Sequence, residues 1–126
     1  MAGNSGPGYA QHPAHRVELL RQGKRVCVVF GGETIADSAD VITLAESNHS
    51  TVYYLPRKDV KMERLVRTAH HTYCPFKGEA SYYSLSAPGK TAENAVWTYE
   101  TPYDEVLEIR DRLAFYPDRV DSISVT

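Results

Sequence analysis

The sequence predicts a mainly β protein: one small domain of antiparallel sheets that bend around a single core, with one short helix. Short runs of alternating apolar and polar residues recur along the chain, and turn signals such as Gly31-Gly32 separate them. Tyrosine, which favours strands, occurs nine times. Signals for the start of a helix coincide with an apolar helix face in one segment only, residues 101–112.

The first strand shows the pattern that the later strands repeat. Val26, Val28 and Phe30 alternate onto one face, and the two glycines that follow accept the positive φ of a tight turn. Proline ends a later strand at Pro56, because it cannot donate a hydrogen bond to a sheet. Residues 57–74 are the hardest part to assign, because Met62, Leu65, Val66 and Ala69 also fit a helix period; we expect a short turn followed by an extended segment. The predicted strands are 25–30, 33–36, 41–46, 51–55, 80–85, 95–99 and 119–125.

The single predicted helix begins at Thr101 and ends near residue 112. Thr101 can cap it, Pro102 suits the first helical position, and Asp104 stands three residues after the cap. The side chains that would share its buried face are Tyr103, Val106, Leu107, Arg110 and Leu113.

Composition narrows the classes of function. A chain of 126 residues fits one domain, and a net charge of −2 with interspersed signs creates no field that would gather nucleic acid or an acidic membrane. No stretch approaches the roughly 18 apolar residues of a membrane span, and no apolar signal core opens the chain. We therefore expect a cytoplasmic protein without nucleic-acid or membrane partners. The oligomeric state stays open.

The opening of the chain differs in composition from the remainder. Glycine and proline recur through residues 1–15 and build no periodic element, so this part is predicted to be a flexible leader. Its two histidines, His12 and His15, are expected to be solvated. Residues 16–126 are predicted to form the single β-rich domain.

An ordered set of short motifs resembles a known family. They are similar, from about residue 26 to 125, to the family of domains of unknown function numbered 427, also called a nucleotidyltransferase-like domain. The resemblance implies a compact, tent-like, all-β fold and leaves the activity open. The motifs are Ile35-Ala36-Asp37-Ser38, Glu46, Tyr53-Tyr54-Leu55-Pro56, Asp59-Val60, Cys74-Pro75-Phe76-Lys77-Gly78-Glu79-Ala80 with Tyr82, Trp97-Thr98-Tyr99 with Pro102, and Phe115-Tyr116.

Nucleotidyl transfer itself is disfavoured by the residues. It needs a phosphate-binding loop and a metal held by carboxylates. Gly31-Gly32 lacks the following lysine and hydroxyl residue, and Gly89-Lys90-Thr91 lacks the glycine at the required upstream spacing. We expect no cofactor.

Lys77 is the sharpest candidate for a functional residue. Pro75 and Gly78 constrain the loop around it, so the lysine is presented from a rigid frame. It could anchor an anion, or its amine could attack a carbonyl if it were desolvated. Alternatively, it forms a structural salt bridge with a carboxylate such as Glu46 or Asp59. Both interpretations stay open.

Cys74 and its neighbours allow two further kinds of site. A nearby cation would favour the thiolate form of Cys74, whereas most free cysteines are small buried hydrophobic residues. His70, His71 and Cys74 could ligate a metal, but structural zinc sites use paired ligands that this chain lacks. We therefore expect no metal site and interpret Cys27 as structural. The sequence allows one disulfide between the two cysteines.

The leading hypothesis is a polar, aromatic-lined pocket that binds a small anionic molecule. Lys77 would hold the anion and Glu46 would orient the lysine. One alternative is a small enzyme at the same place, with Glu46 and Lys77 as an acid/base pair or Cys74 as a nucleophile. Another is a protein-interaction module. The predicted ligand-binding residues are Lys77, Glu46, Arg57, Tyr82, Trp97 and Tyr99.

Overall fold

A computed structural model describes residues 3–126 of the protein. In these residues ten strands form three antiparallel sheets, in the orders β1-β4-β5, β10-β2-β3 and β6-β7-β8-β9. The predicted mainly β, antiparallel single domain is confirmed. The strands are β1 (Val17–Leu20), β2 (Val26–Phe30), β3 (Glu33–Ser38), β4 (Ile42–Glu46), β5 (Val52–Tyr54), β6 (Leu65–Cys74), β7 (Gly78–Ala87), β8 (Lys90–Tyr99), β9 (Leu113–Phe115) and β10 (Ser122–Val125).

Most predicted strands are present, and the segment that was hardest to assign is extended. A short 3₁₀ turn at Arg57–Asp59 and a second at Met62–Arg64 lead into the ten-residue strand β6. The sequence pattern did not indicate β1 or β9. Both are short, and β9 pairs through three residues with the end of β8.

The helix predicted over residues 101–112 is wrong. In its place is a 3₁₀ segment, Asp104–Ile109, which is kinked at Val106 (φ −126°, ψ 28°) and preceded by an extended Tyr103 without a side-chain cap. The side chains of Val106 and Ile109 in this segment are completely buried. The amide of Asp111 then donates to the carbonyl of Tyr99 at 2.9 Å and turns the chain into β9. Tertiary packing therefore overrides the local helix signals.

The two faces of the β6–β9 sheet pack into different parts of the core. Tyr82 of β7 pairs in register with Trp97 of β8, which pairs with Ala114 of β9, and all three contact one apolar cluster. The next residues along these strands, Tyr83, Val96 and Phe115, contact the other cluster, because successive side chains of a strand point to opposite faces. Within residues 3–126 no helix is long and apolar enough to cross a membrane.

The segment before β1 packs on the domain. We call residues 4–15 the strap; it contains one helical turn, Gly8–Gln11. The amide of Asn4 donates to Asp104 at 2.6 Å, and Ser5 donates to Glu105. The first two residues of the predicted flexible leader lie outside the described residues. In the strap His12 is exposed as expected, but His15 is not solvated, since its side chain is only 17% exposed.

Candidate functional site

A cavity of about 590 Å³ lies where the sheets meet, and nine phenylalanine, tyrosine and tryptophan side chains line it. Its size falls within the range of small-molecule sites in proteins. The predicted residues Lys77, Glu46, Cys74, Tyr82, Trp97 and Tyr99 all line it, whereas Arg57 does not. The other polar or aromatic residues in its wall include His15, His49, Tyr53, Tyr54, Tyr73, Phe76, Phe115 and Tyr116.

The turn between β6 and β7 holds the backbone of Lys77 in place. The amide of Lys77 donates to the carbonyl of Cys74 at 3.3 Å, and its carbonyl accepts from the amide of Tyr103 at 3.0 Å. Gly78 has a φ of +114°, and a Cβ there would lie 3.3 Å from the carbonyl oxygen of Thr101. Glycine is therefore required at this position, both for its backbone conformation and for the close approach of a neighbouring chain segment.

The side chain of Lys77 forms a buried ion pair with Glu46. Its Nζ donates to Glu46 Oε1, and the side chains are only 13% and 6% exposed. The salt bridge that the sequence left open is thus made with Glu46. The other candidate, Asp59, accepts a hydrogen bond from Ser38 Oγ at 2.6 Å.

Glu46 has a second partner, His15 of the strap. Nε2 of His15 donates to Glu46 Oε2 at 2.7 Å, so each carboxylate oxygen has its own donor. His49 lies further away, with its Nε2 3.9 Å from the same oxygen. The site is therefore a carboxylate surrounded by one lysine and two histidines, at one side of an aromatic cavity.

The surroundings of Glu46 hold it in the charged form. Burial by itself raises the pKa of this carboxyl, but the hydrogen bonds from Lys77 and His15 outweigh burial and lower the pKa below its ordinary value. A carboxylate that stays ionised at neutral pH cannot donate a proton there. This disfavours Glu46 as the general acid of an enzyme.

We expect this carboxylate to make the folded state sensitive to acid. Because the pKa of Glu46 is lowered on folding, its stabilising contribution is complete above the ordinary value of 4.5 and is lost as the pH falls through the folded value. Denaturant titrations from neutral pH down to about pH 3 should show a smaller pH dependence of the unfolding free energy in Glu46→Gln than in the unchanged protein. Glu18→Gln, at an exposed position, is the matched control. Equal pH dependence in all three proteins would contradict this assignment.

Tyrosine hydroxyls are neutral hydrogen-bonding groups elsewhere in the cavity wall. Trp97 Nε1 donates to the hydroxyl of Tyr54 at 3.2 Å, and the hydroxyls of Tyr82 and Tyr116 lie 3.4 Å apart. Burial is the main cause that raises the pKa of both Tyr54 and Tyr99. These phenols therefore keep their protons and can donate them in hydrogen bonds.

The remaining candidates occupy different surroundings. Both cysteines are free thiols, so the bridge that the sequence allowed is not formed; Cys74 is half-buried at the end of β6. Arg57 lies outside the cavity, where its guanidinium donates to the carbonyl of Asp111 at 2.8 Å and to the hydroxyl of Tyr83 at 3.1 Å. Within residues 3–126 no three histidine, cysteine or acidic side chains come together in a way that could hold a metal ion.

Residues 18–126 match the family described as a domain of unknown function, DUF427. The chain belongs to this family. No curated protein matches the sequence.

The residues that match the DUF427 family include only part of the candidate site. Glu46 and Lys77 lie within the matched residues, whereas His15 lies before them. Sequence reasoning missed His15 because it stands among glycines and prolines, and no local pattern connects it to Glu46. Tyr54, which it also did not assign to the site, belongs to the Tyr53-Tyr54-Leu55-Pro56 motif and could have been found there.

Proposed function

We propose that the cavity binds a small molecule that combines an anionic group with a planar, apolar body. The observation that carries this proposal is the state of the Lys77 ammonium. It has three N–H donors and is 13% exposed, yet Glu46 is its one hydrogen-bond partner among residues 3–126. Burial of a charged group favours further partners. Two donors are therefore available to a ligand.

The charges around the cavity support an anionic partner. Glu46 is the one acidic residue among the described residues in its wall, and Lys77, His15 and His49 are the basic ones. Lys77 and Glu46 neutralise each other, so an anion would be held by the remaining lysine donors together with His49. The proposal thus gives Lys77 two roles, as a structural ion pair and as a ligand donor.

The aromatic wall supports a planar apolar body. Trp97 packs against Tyr116 with ring centroids 4.5 Å apart and meets Tyr54 edge to face at 6.4 Å. Aromatic rings favour such stacked and edge-to-face arrangements, and a ring of a ligand would gain from the same contacts. The phenol groups of Tyr54 and Tyr99 could donate to an acceptor on that ring.

We expect 2-naphthoate to bind at least about tenfold more tightly than 2-naphthamide, its neutral analogue of nearly equal size. Titration calorimetry gives the affinities. Trp97 is the only tryptophan, so its single indole N–H signal in NMR spectra reports whether binding occurs in this cavity. Lys58→Met, which removes an exposed charge outside the cavity, should bind 2-naphthoate as the unchanged protein does.

Four outcomes would count against the proposal. Equal affinity for 2-naphthoate and 2-naphthamide would show that binding does not need an anionic group. A shift of other NMR signals with the Trp97 signal unchanged would show that binding occurs outside the cavity. Chemical conversion of an added compound, lost in Cys74→Ser, would favour the enzyme alternative. Absence of any binding would favour a protein-interaction module.

A further inference from the structure

We propose that the strap is part of this ligand site, and that docking of the strap and binding of a ligand stabilise each other. The inference rests on the proposed ligand site. It concerns residues that lie before the part of the chain that matches the DUF427 family. His15 is its central residue, as a positioning residue that acts on Lys77 through Glu46.

The strap makes close and specific contacts with the turn that carries Lys77. The amide of Gly8 donates to the carbonyl of Pro75 at 3.0 Å, and the hydroxyl of Tyr9 donates to the carbonyl of Phe76 at 3.0 Å. A Cβ at Gly6 would lie 2.7 Å from the carbonyl oxygen of Pro75. A Cβ at Gly8 would lie 2.7 Å from the ring of Phe76. The glycines that predicted a flexible leader therefore permit close packing.

His15 stacks on Phe76, with ring centroids 4.0 Å apart and planes inclined by 23°. The two side chains line the aromatic cavity and also a second, outer groove of about 620 Å³. Among residues 3–126 they are the only ones that line both spaces, so the stacked pair forms a partition between the cavity and the groove. A ligand in the inner cavity would contact one side of this partition, and the strap holds it in place.

His15 also determines which donors of Lys77 are free. It occupies Oε2 of Glu46, which leaves Lys77 a single bond to Oε1. Without His15, the carboxylate could turn both oxygens toward the ammonium, and fewer lysine donors would remain for an anion. A ligand that needs those donors should bind better when the strap is docked. By linkage, it should strengthen docking by the same factor.

Docking of the strap can be measured without any ligand, through the reactivity of Cys74. Cys74 directly precedes Pro75, whose carbonyl accepts a hydrogen bond from the amide of Gly8 in the docked strap. In Gly8→Ala, the added methyl group cannot fit against Phe76. We expect iodoacetamide to modify Cys74 about tenfold faster than in the unchanged protein, because the strap opens more often.

Two controls accompany the labelling, which is quantified peptide by peptide by mass spectrometry. Cys27 lies in β2, away from the strap, and its rate of modification should stay unchanged. Ala10→Ser alters an exposed residue of the same helical turn and should leave both rates unchanged. A folded Gly8→Ala protein with an unchanged Cys74 rate would overturn docking of the strap.

Coupling to the ligand is tested with 2-naphthoate. His15→Phe keeps a ring against Phe76 but removes the bond to Glu46, and we expect the affinity for 2-naphthoate to fall about tenfold. His12→Phe, an exposed position of the strap, should change it little. Unchanged affinity in His15→Phe would overturn the coupling.

If 2-naphthoate does not bind the unchanged protein, the proposed function is wrong and the coupling is wrong with it. Docking of the strap is then still decided by the labelling rate of Cys74.

Discussion

Replacing Lys77 by Met should lower the free energy of unfolding by about 3–5 kcal/mol. Methionine keeps much of the stem volume but removes the ammonium, and Glu46 stays behind as a charge that is only 6% exposed. Of its two hydrogen-bond partners, only His15 then remains. Urea denaturation measures the change, and Lys58→Met, at an exposed position, should alter stability by no more than about 0.5 kcal/mol.

A double variant distinguishes the effect of breaking the ion pair from the effect of losing the lysine itself. In Lys77→Met/Glu46→Gln no charge is left buried without its partner, so most of the lost stability should return. The double variant should nevertheless fail to discriminate 2-naphthoate from 2-naphthamide, since the donors of Lys77 are missing. A loss below about 1 kcal/mol in Lys77→Met would show that the ion pair does not stabilise the fold. Lys77 would then serve a ligand alone.

Replacing Phe76 by Ala should cost about 3–5 kcal/mol and also release the strap. The ring is 8% exposed, stacks on His15, and meets Tyr9 edge to face with centroids 5.1 Å apart. Removing it leaves a cavity under the strap and takes away the surface against which Gly8 packs. Hydrogen exchange at the amide of Gly8, which is bonded to Pro75 in the docked strap, should become much faster.

Phe115→Ala is the matched comparison for this prediction. Phe115 is 5% exposed and lines the same cavity from β9, but it has no stacking contact with the strap among residues 3–126. Its loss should cost a similar amount of stability while exchange at Gly8 follows global unfolding. If Phe76→Ala left exchange at Gly8 unchanged relative to Phe115→Ala, Phe76 would not be what holds the strap.

The local sequence around Lys77 predicted only some of the features that the structure shows at this residue. The residues around it predicted a constrained turn, and the sequence offered Glu46 or Asp59 as a partner for its charge. An ion pair and a ligand donor were competing interpretations. The geometry makes both compatible, because an ammonium with one carboxylate partner keeps two donors. Arg57, chosen for its charge, instead packs beside Tyr83 outside the cavity, since nothing in the sequence placed that tyrosine next to it.

The sequence by itself determined the class of fold and most of the strands, although not β1 or β9. Alternation with a period of two, together with glycine at the end of the strand, is a local property that β2 expresses directly. The helix at residues 101–112 failed, although its local signals agreed, because the packed core holds this segment as a kinked 3₁₀ segment with Val106 and Ile109 buried. Capping signals stabilise a helix by amounts that such burial exceeds.

Only the tertiary structure decided the composition of the site. His15 reaches Glu46 across 31 positions of sequence, and Lys77 reaches it across another 31. Contacts of this kind leave no periodic trace, because they depend on how separate segments pack rather than on the conformation of either one. The same holds for the glycines of the strap. In the sequence, their lack of a side chain indicates a flexible segment. In the fold, the same lack of a side chain allows the backbone to lie directly against Pro75 and Phe76.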